Sequence, residues 1–232
     1  LTRTRETNIW RQLRATLGTF GQVFRDLTAM RTLFSSSGFD AFFKATKEYL
    51  QPILEAFAIS LPFFVALDET RRSALIVGII YSAIYLLTSY ASRSAADLSR
   101  RLKGVAQAVN LTFVAGAVSL LVAGVAARWQ LNAVSIIVFL VLYVLHNLRR
   151  PMTVALVSDQ ISHKVMAAGL SAESQLTTLL AAALAPLLGA LADGLGVGMA
   201  LAVLGGLMVA LSLVLRIRPL AADGTPARAA ES

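Results

Sequence analysis

The chain has 232 residues, of which 56% are hydrophobic and 15% are charged, and its formal net charge is +8. Soluble domains average about 25% charged residues, so this composition excludes a soluble basic helical protein and indicates a protein of the lipid bilayer. The sequence contains no cysteine, which excludes a disulfide framework and thiol-ligated metal sites. In a membrane protein the distribution of Lys and Arg matters more than their sum, and we predict no nucleic-acid partner.

The N-terminal segment 1–30 is basic and periodic. Six arginines occur by residue 31, and apolar side chains from Trp10 to Leu27 recur at spacings of three and four. This pattern is typical of an amphipathic helix on the membrane surface; the alternative is a cytoplasmic linker with a helical turn or two. The chain begins at Leu1 without a signal-like apolar run, so we expect it to be a piece of a longer protein.

The apolar segments of residues 31–217 predict an all-α, polytopic membrane domain. A membrane-spanning helix needs about 20 mostly apolar residues. The tail, 218–232, has the composition of a disordered cytoplasmic end. We predict six spans, at about 31–57, 73–93, 104–128, 131–157, 165–192 and 196–216.

The orientation of these spans follows from their loops. With six spans, fourteen Lys and Arg residues lie on one side and three on the other, and short cytoplasmic loops are the ones enriched in them. Omitting the weakly apolar first span would move the N-terminal arginines outside, so we retain it. We therefore expect an integral protein, of the bacterial inner (plasma) membrane, with both ends of the segment cytoplasmic.

The first span carries a polar stripe. At about 100° per residue, its polar side chains fall on one helical face, and Pro52 is expected to kink the helix near its outer end. The pairs of Lys44 with Asp40 and Glu48 are spaced i,i+4 and would partly compensate the cost of burying charge. The predicted cavity residues of this stripe are Asp40, Lys44, Lys47, Glu48 and Gln51.

Two later spans add polar residues. On the fourth, His146 and Arg150 are spaced i,i+4 with Asn147 beside them, and we predict that they also line the cavity; Arg149 is expected to reach lipid phosphates. On the fifth, the small polar residues are interpreted as helix-packing contacts. These are Ser171, Ser174, Gln175 and Thr178.

The loop from Ala96 to Arg101, ADLSRR, resembles the acidic and basic signature that major facilitator superfamily transporters carry between the second and third helices of each half. Asp97 and Arg101 keep the family's spacing, whereas Leu98 and Arg100 depart from its Arg and Gly. The resemblance implies a gating ion pair at a helix end; read alone, the loop would be a marker of topology. The segment from Gly189 to Gly196 is similar to the same loop without its cations, and its glycines are expected in a tight turn.

The stretches 44–52, 147–160 and 167–175 also resemble the first, fourth and fifth helices of that superfamily's C-terminal half. The resemblance implies six helices as two inverted three-helix repeats. The first and fourth would line the cavity, the second and fifth would meet the N-terminal half, and the third and sixth would face lipid. It implies a secondary transporter that moves a small solute by alternating access against its other half, with proton coupling through Glu48 or Asp40 as a hypothesis.

Two alternatives remain open at this point. One is a non-transporting membrane fragment or an assembly or interaction protein. The other, an intramembrane enzyme, is disfavoured because the sequence has no GxSG motif, no pair of intramembrane aspartates and only two histidines. We accordingly predict no catalytic residues, no metal ligands and no cofactor, with the bilayer, the other half and a small solute as partners.

Overall fold

The computed structural model describes residues 27–62, 68–102, 104–160 and 166–217. Every regular element in these ranges is a helix, and five of the helices are long and apolar enough to cross a membrane. The all-α class and the membrane location are therefore confirmed. Most of the predicted surface helix in 1–30, and the predicted tail at 218–232, lie outside the described residues.

The helices follow one another with short connections. Two short elements, a 3-10 turn at Lys47–Tyr49 and helix α4, interrupt the sequence of longer ones. The helices are α1 (Leu27–Thr46), α2 (Leu50–Ser60), α3 (Glu69–Arg93), α4 (Ala95–Arg101), α5 (Val105–Arg128), α6 (Asn132–Gln160), α7 (Met166–Leu195) and α8 (Val197–Val214).

The predicted first span, 31–57, lies on α1 and α2, which the 3-10 turn separates. Pro52 has no N–H for the carbonyl of Glu48, and its ring crowds that carbonyl, which explains why the α-helix is interrupted one turn before the proline. α1 carries Arg31, Asp40 and Lys44, and α2 has only 11 residues. Neither is among the five helices that meet the length and apolarity of a span.

The turn before α8 differs from the expectation for the segment 189–196. Gly189 and Gly194 lie inside α7, which continues to Leu195. Gly196 alone makes the turn, at φ +83°, a conformation in which other residues are strained. The tight turn predicted for this segment therefore depends on one glycine.

Helices α5 and α8 approach each other to backbone contact. A Cβ atom on Gly205 would touch the backbone of Leu121, and one on Gly124 would touch the backbone of Ala202. Small residues of this kind let membrane helices pack closely. At one end of the pair, Asn110 donates to the carbonyl of Ile217 at 2.7 Å and accepts from its N–H at 2.9 Å.

Two further helices pack on this pair, α6 on α5 and α7 on α8. The first and third helices join through them, since α1 packs on α7 and α3 packs on α6. The main core lies between them and includes the fully buried Phe39, Phe113 and Phe139. Arg72 of α3 donates to the carbonyl of Ile59 at 3.2 Å, so it satisfies one of the free carbonyls at the end of α2. The polar residues of α1 consequently face α6 and α7.

Candidate functional site

Three helices meet at one arginine. The Nη1 atom of Arg150, on α6, lies 3.1 Å from Oδ2 of Asp40 on α1 and 3.0 Å from Oε1 of Glu173 on α7. At about 1.5 Å per residue, Arg150 is about 12 Å and Glu173 about 6 Å inside the ends of their spanning segments. The side chain of Arg150 is 47% exposed, whereas that of Glu173 is 1% exposed. The cluster is thus buried on its acidic side and open on its basic side.

Glu173 connects α7 to α1 through serines. Ser36 donates a short hydrogen bond to Oε1 of Glu173, and Ser37 donates to the backbone carbonyl of the same residue at 3.0 Å. The other carboxylate oxygen, Oε2, is buried and has no hydrogen-bond partner among the described residues. A buried charged oxygen without a partner is costly, which marks this position as more than a packing contact.

His146 is the second partner of Asp40. Its Nε2 lies 3.4 Å from Oδ1 of Asp40, and its ring stacks on Phe43 with 3.9 Å between ring centroids and on Phe39 with 6.3 Å. The remaining nitrogen, Nδ1, is buried without a partner in the described part of the chain. The carboxylate of Asp40 therefore lies between an imidazole and a guanidinium.

Arg149 is the most deeply buried cation of the described chain, at 1% exposure. It donates to the carbonyls of Ser35 and Val109 and to the hydroxyl of Ser35, and its guanidinium lies 4.8 Å and 4.9 Å from the ring centroids of Phe39 and Phe113. The expectation that Arg149 reaches lipid phosphates was wrong. Carbonyl oxygens and aromatic faces inside the bundle replace the phosphate as its partners.

The predicted stripe of the first span divides after Asp40. Asp40 is buried in the cluster, while Lys44, Glu48 and Gln51 are exposed. Lys47 pairs with Glu48 at 3.3 Å, and Gln51 donates to Glu55 at 3.0 Å. The expected pairs of Lys44 with Asp40 and Glu48 do not form, because Asp40 has partners on other helices and the break turns Glu48 away from the line of α1.

Two further predictions concern residues that the structure keeps apart from the cluster. The side-chain amide of Asn147 donates to the carbonyl of Tyr143 on its own helix, at 2.9 Å, so Asn147 does not join Asp40. In the predicted gating loop, Asp97 pairs with Arg100 and not with Arg101, because both lie on the short helix α4 at i,i+3. Arg101 is exposed beside them.

A polar cleft opens beyond the stripe. It has a volume of about 610 Å³ and lies between α2 and α3, and Gln51, Glu55, Glu69, Thr70 and Ser73 contribute its polar lining. In the described part of the chain, no three His, Asp or Glu side chains come together as metal ligands would. The polar features along the first span are therefore the buried ion cluster at Asp40, the exposed remainder of the stripe, and the acidic cleft between α2 and α3.

Sequence reasoning missed Glu173 and misread Arg149. Glu173 was passed over among the small polar residues of its span, although a carboxylate inside an otherwise apolar helix is itself a signal of a partner or a site. The i,i+4 pair His146 and Arg150 was found, and the structure brings both onto Asp40.

No family model matches the chain, and no curated protein or solved structure matches it either.

Proposed function

We propose that this chain is one half of a secondary transporter of the major facilitator type, which moves a small solute across the membrane by alternating access. The observation that carries the proposal is the shared contact of Arg150 with Asp40 and Glu173. Burying a charged group inside a bilayer costs free energy, so a charged residue found there indicates a functional site. An ion cluster that joins three helices and opens on one side fits a solute pathway whose helices move relative to one another.

The cluster also supports six spans in place of five. Asp40 of α1 pairs with Arg150, which also pairs with Glu173, and both Arg150 and Glu173 lie inside candidate spanning segments. α1 consequently lies at the same depth, within the bundle. Together α1, the 3-10 turn and α2 cover residues 27–60, which at about 1.5 Å per residue is long enough to cross a bilayer of about 30 Å.

The helix pairs favour two related three-helix units. In the order of the spans, the first packs on the fifth and the fourth packs on the second, while the third packs on the sixth. Exchanging first for fourth, second for fifth and third for sixth swaps the first two of these pairs and maps the third onto itself, although the close packing of the third span on the fourth has only a weak counterpart between the sixth and the first. Because successive spans alternate in direction, the first and fourth run oppositely, so such units would be inverted repeats.

The second and fifth spans offer the surface for the other half. Only 22% of the most apolar window of α3 and 6% of that of α7 is buried, against 50% for α5 and 44% for α8. Leu86 and Tyr90 on α3 and Leu179 on α7 are the kind of exposed apolar side chains that an interface would cover. The same surfaces favour the second candidate, a membrane assembly or interaction protein without transport.

Topology can be tested directly because the chain has no cysteine. Single cysteines at Thr19, Ser99, Thr70 and Gln130 would be labelled in intact cells with a membrane-impermeant maleimide. We expect labelling of Thr70→Cys and Gln130→Cys only, with the other two reacting after lysis. Equal labelling of Thr19→Cys and Thr70→Cys in intact cells would refute a spanning first segment and, with it, the cytoplasmic location of both ends.

The sequence upstream of Leu1 separates the two candidates. Six further spans there would support the half-transporter, and a start codon directly before Leu1 would count against it. Transport itself is tested by solute counterflow in liposomes that contain the protein with its natural upstream residues. Binding of a partner without counterflow of any solute would favour the assembly protein.

Proton coupling is a finer part of the proposal. Glu48 has a 72% exposed side chain that pairs with Lys47, whereas Asp40 and Glu173 share Arg150 inside the bundle, so Asp40 is the better of the two predicted carriers. Glu48→Gln is expected to keep uphill transport and its pH dependence, while Asp40→Asn is expected to lose both. Uphill, pH-dependent uptake that survives Asp40→Asn would exclude this role.

A further inference from the structure

The open side of Arg150 has hydrogen-bond donors to spare. Its contacts with Asp40 and Glu173 both use Nη1, and among the described residues nothing accepts a hydrogen bond from Nη2 or Nε. The side chain is 47% exposed. Two carboxylates thus hold the guanidinium in a fixed orientation and leave the rest of its N–H groups facing outward.

The carboxylates around Arg150 are already occupied. Asp40 contacts His146 and Arg150, and Glu173 contacts Ser36 and Arg150. Glu48, further along the stripe, pairs with Lys47. At the cluster itself, a cationic solute would have to displace one of these partners or reach the buried Oε2 of Glu173.

One cation near the cluster has no acidic partner. Lys44 lies one turn after Asp40 on α1, is exposed, and forms no ion pair with any described residue. Lys47 is paired with Glu48, and Arg149 is buried inside the bundle among carbonyls and aromatic rings. Lys44 and the unused N–H groups of Arg150 are therefore the cationic donors that a solute could reach from the open side.

We propose that the outward N–H groups of Arg150, with Lys44, bind an acidic group of the transported solute, a carboxylate or a phosphate. A guanidinium offers planar, paired donors that match both groups, and a fixed guanidinium loses little conformational freedom on binding. This inference rests on the proposed function and names its substrate class: small organic acids or phosphate esters.

Binding is tested on the full chain, purified in detergent at constant ionic strength, with benzoate, succinate and inorganic phosphate as probes and choline chloride as the cationic control. We expect one or more of the anions to raise the unfolding temperature saturably, as a ligand of the native state does. Arg150→Gln should lower the affinity for that anion at least about 10-fold, since a hydrogen bond to a charged group contributes that much to binding. Lys44→Gln should lower the same affinity about 3-fold.

Matched variants keep the test decisive. Lys47→Gln removes a cation one turn away that is already paired, and it should leave anion binding unchanged. Because Arg150→Gln strips the partner from two carboxylates and could impair folding, the double variant Asp40→Asn with Arg150→Gln is measured beside it. Anion stabilisation that persists in both Arg150 variants would overturn the proposal, as would stabilisation of the wild type by choline alone.

A lipid headgroup carries the same chemistry as a soluble phosphate, and the arms of the experiment separate the two. Stabilisation by phosphatidylglycerol in mixed micelles, with none by any soluble anion, would overturn the assignment to a solute. Counterflow in liposomes then distinguishes this inference from the proposed function. Anion binding without counterflow would refute transport alone, and counterflow of a cation without anion binding would refute the acidic solute alone.

Discussion

Arg149 and Ser35, on different helices and 114 positions apart in the chain, are joined by two hydrogen bonds, of 2.9 Å to the serine carbonyl and 3.0 Å to its hydroxyl. The contact ties α1 to α6 in the interior of the bundle. It does so with a cation whose direct hydrogen-bond partners among the described residues are two carbonyls and a hydroxyl, held between the rings of Phe39 and Phe113. This pair gives the first prediction.

Arg149→Leu should destabilise the fold by about 3 kcal/mol, since it leaves the buried carbonyls of Ser35 and Val109 short of a donor. Arg149→Lys should recover only part of the loss, because an ammonium group lacks the planar fork and stacks poorly between the two rings. Unfolding of the purified protein in detergent measures both. Arg93→Lys, at the exposed end of α3, is the control, and an equally large loss there would contradict the argument.

Glu173→Gln should cost about 1–2 kcal/mol of stability, because it weakens a buried charge-assisted contact between α7 and both α1 and α6. Asp97→Asn breaks an ion pair that is exposed on both sides and should change stability by less than about 0.5 kcal/mol. Thermal unfolding of the two variants under identical conditions makes the comparison. If the loop variant proved the more damaging, the ion pair of Asp97 with Arg100 and not the buried cluster would hold the helices together.

Gly205→Ala should destabilise the bundle by about 1–3 kcal/mol, because the added methyl group would meet the backbone of Leu121 and force α5 and α8 apart. Gly206→Ala is a control of the same size, one residue along the same helix, where a Cβ meets nothing within 4 Å. It should be neutral or slightly stabilising, as alanine favours a helix over glycine. Unfolding in detergent separates the two, and similar losses would mean that α5 and α8 do not touch at Gly205.

Asn110→Ala should release the end of α8, since both backbone groups of Ile217 lose their partner. We expect a loss of about 1–2 kcal/mol and faster amide exchange at Ile217 than in the wild type. Gln107→Ala, one turn earlier on the exposed face of α5, should change neither quantity. Unaltered exchange at Ile217 in the Asn110 variant would argue against this pair of hydrogen bonds between Asn110 and Ile217, the clasp.

The sequence was sufficient for the apolar frame and for part of the site. Hydropathy located five of the helices, and the distribution of Lys and Arg retained the first span. The i,i+4 spacing of His146 and Arg150 singled out two residues as cavity lining, and the structure brings both onto Asp40. The sequence could not reveal that Lys44 and Glu48 stay outside this cluster, because angular periodicity shows which residues share a face of a helix and not which neighbouring helix covers each of them. A kink was expected at Pro52, but the pattern does not show that the helix breaks one turn earlier, at Lys47–Tyr49.

Arg149 and Arg150 show a second limit. The sequence analysis assigned Arg150 to the cavity and Arg149 to lipid phosphates, but two neighbours of the same type at nearly equal depth give no basis for predicting that Arg149 is the more deeply buried. Their difference comes from helix rotation: about 100° apart on α6, one meets Phe39 and the carbonyl of Ser35, and the other meets Asp40 at an open face. Only the positions of α1 and α5 assign these partners.

The clasp between Asn110 and Ile217 sets an order of assembly. Its two residues are 107 positions apart, and a ribosome that adds about 5–20 residues per second makes the second several seconds after the first. During this delay α5 has already entered the membrane, with Gly124 and the amide of Asn110 still without α8. A factor that shelters α5 until α8 is complete would therefore increase the yield of folded protein, and a slow stretch of translation between them would lower it.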